Sequence, residues 1–84
     1  MKVRKQEYGE CNCVGRQVER IRKSRGIKQK DFIAQMQTMG VDINPTSYSK
    51  LEGQIRVVTD KELYAMAKIL NVSMEELFDD KIFY

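Results

Sequence analysis

Asn44-Pro-Thr-Ser-Tyr-Ser-Lys-Leu-Glu-Gly-Gln-Ile-Arg56 is the stretch on which the reading of this chain turns. It reads as a short helix with two unlike faces. Asn44 is a good N-cap, because its side-chain oxygen can accept an orphan backbone N–H. Pro45 follows at the first helical position, where its missing N–H costs nothing. Tyr48 and Leu51 sit three apart, with Ile43 just upstream, and mark the side facing a core. Thr46, Ser49 and Lys50 occupy the other face, with Ser47 at its margin. Small hydrogen-bonding groups and one cation suit a DNA groove. Gly53 and Gln54 end the helix, and Gly53 is expected to take the left-handed turn there. An ordinary amphipathic surface helix would share this pattern, so the flanking segments must decide.

Upstream, Asn12 can cap a first helix whose buried stripe is Val14, Val18 and Ile21. Arg16, Arg20, Lys23 and Arg25 lie elsewhere around it, and Gly26 followed by Ile27 stops it. A second helix begins near Lys28 or Gln29, with Asp31 suited to its dipole. Phe32, Ile33, Met36 and Met39 form its apolar face, and Gly40 ends it. Downstream, Thr59 and Glu62 have capping-box spacing ahead of a helix that buries Leu63, Met66, Ala67 and Leu70. Asn71 ends that helix. Ser73 and Glu76 form a second capping box, opening a short fifth helix with Leu77 and Phe78 turned inward. The spacing therefore predicts an all-α chain of five short helices, with a capped helix-turn-helix at positions two and three.

Residues 1–11 form a basic N-terminal arm, 12–79 the domain and 80–84 an apolar tail. The arm lacks helical periodicity and reads as flexible or loosely packed. It could follow a DNA backbone or reach a minor groove, and a disordered terminus is the equally open alternative. Ile82, Phe83 and Tyr84 could pack on the domain, join a dimer interface or mark the cut end of a longer protein.

The chain has 84 residues, enough for one small core. Its net charge of +3 conceals a polarity: residues 1–30 hold ten Lys or Arg against three acids, and residues 31–84 hold five against nine. Such a molecule can turn a basic face to a polyanion. No apolar run approaches the ~20 residues of a membrane span, and no secretory signal is visible. Cys11 and Cys13 have neither the spacing nor the companions of a zinc or dithiol redox site, and the chain has no His. Two free thiols in a reducing cytoplasm is the expectation, with a vicinal redox pair or soft-metal site as the sharper alternative. No paired-acid, nucleophile or phosphate-loop constellation points to catalysis, so an enzyme, a metal and a cofactor are not expected.

Five segments in order carry a resemblance: Val14-Gly-Arg-Gln-Val-Glu-Arg-Ile-Arg22 with Gly26-Ile-Lys-Gln29, Tyr48-Ser-Lys-Leu-Glu52, Thr59-Asp-Lys-Glu-Leu63, Ala67-Lys-Ile-Leu-Asn-Val-Ser73 and Glu75-Glu-Leu77. Together they resemble the Cro/C1-type (XRE) helix-turn-helix family of phage repressors and bacterial regulators. The resemblance implies a five-helix, lambda-repressor-like domain with its third helix in the major groove. It places Thr46 and Lys50 on base-reading positions, with Ser49 and Pro45 beside them. It places Gln29, Lys28, Ser47 and Arg56 near phosphates. Arg22 and Glu52 fall where the family has an ion pair tying helix one to the end of helix three, a structural role.

The sequence departs from the family in three ways. Gln29 to Glu52 is longer than in the shortest members, so helix two should extend past Met36 by about a turn, with a longer turn after it. Pro45 stands where many relatives place a base-reading Gln or Arg, and it offers only apolar contact. Lys28 replaces the usual Ser or Thr cap. The implied function is sequence-specific double-stranded DNA binding by a transcriptional regulator of repressor type, as a homodimer using helix five and the tail. The rival is a protein-interaction module or antitoxin on the same fold, kept open by a recognition helix that is polar rather than Arg-rich.

Overall fold

Four α-helices and one 3-10 turn account for the regular structure of residues 8–78, the part of the chain that the computed structural model describes. They are α1 (Gly15–Ser24), α2 (Gln29–Thr38), α3 (Pro45–Glu52), α4 (Asp60–Leu70) and the 3-10 turn Glu75–Leu77. No strand occurs among the described residues. Residues 1–7 and 79–84, which include part of the expected arm and the whole expected apolar tail, lie outside them.

Local chemistry sets most of the boundaries. Asn12 Oδ1 accepts from the backbone N–H groups of Val14 and Gly15, at 3.0 and 2.9 Å, and so caps α1. Gly26 and Gly40 close α1 and α2 with φ of 68° and 89°. In each case the next residue returns its N–H to the carbonyl five back, Ile27 to Arg22 and Val41 to Met36. Asn44 caps α3 through Ser47 N–H at 2.7 Å, with Pro45 at the first position. Thr59 and Glu62 form both bonds of their capping box, and Asn71 ends α4 in the left-handed conformation.

The core gathers one face of every element. Val14, Val18, Phe32, Met36, Ile43, Tyr48, Leu51, Met66, Leu70 and Leu77 are buried together. Phe32 and Tyr48 meet with ring centroids 5.4 Å apart. α3 packs on both α1 and α2, and α4 closes the opposite side against the same two helices.

The structure corrects four expectations. The fifth helix is a single 3-10 turn. Ser73 and Glu76 do exchange their capping bonds, but the backbone then closes i→i+3 pairs and Phe78 becomes extended. α2 passes Met36 by only two residues, and Met39 lies outside the core at 43% exposure. The left-handed residue after α3 is Gln54 (φ 61°), while Gly53 is right-handed. Lastly, residues 8–11 of the expected arm are fastened to the domain. Gly9 N–H donates to Gly53 O and Cys11 N–H to Gln54 O, both at 2.8 Å.

Gln54 explains the last two together. Its side chain is 5% exposed. Oε1 accepts from Arg16 N–H and Nε2 donates to Gly9 O, each at 3.0 Å. These bonds offset the strain of a non-glycine residue in the left-handed region. They also tie the N-terminal segment, the start of α1 and the end of α3 into one joint. The joint is tight: a Cβ on Gly9 would lie 2.5 Å from Gln54 O, and one on Gly15 would lie 2.7 Å from Glu52 O and closer still to Leu51 O.

Candidate nucleic-acid interface

α3 divides as its sequence suggests. Tyr48, Leu51 and Glu52 are buried, while Pro45, Thr46, Ser49 and Lys50 are exposed and Ser47 is half-buried. The eight-residue helix cannot hold itself in place, because isolated helices of that length are unstable in water. What holds it is an unusual polar anchor at its C-terminal end.

That anchor is Glu52, whose side chain is fully buried. Arg22 of α1 grips it with two nitrogens, Nε to Oε2 at 2.6 Å and Nη2 to Oε1 at 3.2 Å. Tyr48 donates its hydroxyl to Oε2 at 2.5 Å, and Gln29 donates Nε2 to Oε1 at 3.0 Å. Arg22 Nη1 also donates to the Ile27 carbonyl at 2.7 Å, in the turn between α1 and α2. Three helices thus meet on one carboxylate. Burial pushes the Arg22 guanidinium toward the neutral form, but its bond and attraction to Glu52 outweigh this and raise its pKa. Burial, followed by the charge of Glu52, pushes the Tyr48 phenol well above its ordinary value, so it remains a donor.

Asn12 makes a second brace. While its oxygen caps α1, its Nδ2 donates to Leu51 O at 3.0 Å and Arg56 O at 2.8 Å. One of the last carbonyls of α3, and one in the loop after it, are thereby satisfied by the residue that starts α1.

The residues expected near phosphates fall into two groups. Lys28 is exposed at the start of α2, with no side-chain cap of its own, and Ser47 is half-buried at the start of α3. Gln29 and Arg56 are instead engaged within the fold. Gln29 joins Glu52 as above, and Ser49 Oγ donates to its Oε1 at a long 3.4 Å. Arg56 binds Glu62 through two nitrogens, at 2.5 and 3.0 Å, and donates to the Ser47 and Val57 carbonyls. Burial alone would raise the Glu62 pKa, but bonds from Arg56 and from Thr59 of the capping box outweigh it and lower the value. No local pattern signals this pair, because a loop residue and a helix residue six apart have no fixed geometry until the chain is folded. Gln54 and the second role of Asn12 escaped for the same reason.

The described residues hold no helix long and apolar enough to cross a membrane. An outward polar face on a short helix, set behind the N-terminus of α2 and braced by α1, defines a helix-turn-helix domain. A helix-turn-helix family model matches residues 18–77, most of the chain, and the chain belongs to that family, of Cro/C1 (XRE) type. The family is one of DNA-binding transcription regulators. No curated protein and no solved structure gives a significant match.

Proposed function

We propose that the protein is a sequence-specific double-stranded DNA-binding repressor that lays α3 in the major groove. The observation that carries this reading is the split of α3. Thr46, Ser49 and Lys50 stand in solvent, while the same helix is pinned from behind through Tyr48, Leu51 and Glu52. A preorganised reading face loses little freedom on binding.

Lys50 donates to guanine O6 and N7, and Thr46 bonds a base edge or touches a thymine methyl. Pro45 contributes an apolar contact, and Ser49, held toward Gln29, a polar one. Lys28 and Ser47 contact phosphates, with the N-terminal N–H groups of α2 favouring the same anion. Gln29 donates to Glu52 and keeps its remaining N–H for that phosphate. Arg56 acts mainly as a brace, since its guanidinium already serves Glu62. Arg22 and Glu52 are structural. Two copies on an inverted repeat add two modest half-sites.

Binding to random duplex DNA at two salt concentrations tests the reading. Affinity falls steeply with salt if phosphate contacts drive association. Selection from a random duplex pool then returns a palindromic site. Salt-independent or absent binding would reject the proposal in favour of a protein-interaction module.

A further inference from the structure

We propose that the outer face of α4 is a contact between two copies of this chain, packed antiparallel about a two-fold axis at Tyr64. This gives the dimer of the preceding section a surface. It is tested without DNA, so its failure would leave recognition by α3 untouched.

Three large apolar side chains cluster there in solvent: Tyr64 at 52% exposure, Met39 at 43% and Met74 at 41%. With Val41 and Ala65, and with Asp60 and Lys61 at its charged edge, they line one shallow hollow between the end of α2, the outer side of α4 and the 73–74 loop. Contiguous exposed apolar surface of this kind marks an interaction site, whereas Ile55 and Val57, also exposed, lie in the loop after α3 and outside this hollow. Aromatic and Met side chains are also the types enriched at the centres of interfaces.

The charges around the patch select a second copy as its occupant. Asp60, Tyr64 and Lys68 are exposed at positions i, i+4 and i+8 of α4, one stripe on one side of the helix. At ~1.5 Å of rise per residue, Asp60 and Lys68 each lie about 6 Å from Tyr64 along the axis, in opposite directions. A two-fold axis through Tyr64 exchanges those positions. Asp60 of each copy then faces Lys68 of the other, and the complementary pair forms twice. A partner of uniform charge would meet one of the two signs as repulsion. An isologous contact requires a patch that complements itself, and this stripe does so. Among the described residues neither Asp60 nor Lys68 is in an ion pair, and the Lys68 ammonium rests over the Tyr64 ring at 5.4 Å. Both are free to pair across the axis.

Sedimentation velocity of the full chain over a range of concentrations, without DNA, tests this. The wild type should show a monomer–dimer equilibrium. Tyr64→Glu and Asp60→Lys should each weaken it at least tenfold, with helical circular dichroism unchanged. The double reversal Asp60→Lys with Lys68→Asp should restore dimerisation lost in the single variant, because each charge again meets its opposite. A chain monomeric at all concentrations, a dimer indifferent to Tyr64→Glu, or a double reversal as weak as the single one would each overturn the proposal.

Discussion

Arg22→Ala tests the anchor of α3 directly. The substitution leaves the Glu52 carboxylate fully buried with only two neutral donors, the Tyr48 hydroxyl and the Gln29 amide. It also strips the Ile27 carbonyl of its Arg22 donor. Removing one partner of a buried ion pair costs about 3–5 kcal/mol, because the other charge is stranded. Domains of this kind are stable by roughly 5–15 kcal/mol. At about 4–8 °C per kcal/mol for this size, the melting temperature should fall by on the order of 20 °C. Urea titration followed by circular dichroism measures the loss at one temperature. The triple variant Arg22→Met, Glu52→Leu, Tyr48→Phe removes every charge and the orphaned hydroxyl together, and should be less destabilised than Arg22→Ala. If Arg22→Ala cost less than about 1 kcal/mol, the stranded-charge reasoning would be wrong. If stability held while DNA affinity vanished, Arg22 would be a DNA contact rather than a brace.

Four further outcomes follow from the same geometry. Gly15→Ala should destabilise by about 2 kcal/mol, because the new methyl meets backbone carbonyls of Leu51 and Glu52 that cannot swing aside; an unchanged urea midpoint would refute the close approach. The Glu62 carboxyl is held below its ordinary pKa, so its contribution is complete above about pH 4.3 and is lost as pH falls through the folded value. Glu62→Gln should therefore lower stability at neutral pH and flatten the acid decline of the melting temperature, and parallel wild-type and variant curves would count against this. For DNA, Lys28→Ala should weaken binding to all sequences alike and reduce the salt slope by about one per half-site. Lys50→Ala should instead lower affinity for the selected site about tenfold or more and relax preference at one base position, measured by fluorescence anisotropy on matched and mismatched duplexes.

Most of the fold is legible because its signals are local. A helix start is set by whether one side chain reaches an N–H two or three residues on, as Asn44, Thr59 and Ser73 do. A helix stop is set by which residue tolerates positive φ, as Gly26, Gly40 and Asn71 do. The periodic apolar residues that fill the core follow from helix geometry alone. The fifth helix misled because a capping box signals a start and carries no information about length.

The sequence by itself determined four helices, their order, and which side of α3 faces outward, since each depends on residues a few positions apart. Tertiary structure alone decided what those helices are fastened to. It put Gln54 in the strained position and Gly53 beside it, docked Gly9 and Cys11 on the end of α3, engaged Gln29 and Arg56 within the fold, and left Met39, Tyr64 and Met74 in solvent. Each of those depends on atoms brought together from distant parts of the chain, or on a surface left over once the helices have packed, and no local spacing encodes either.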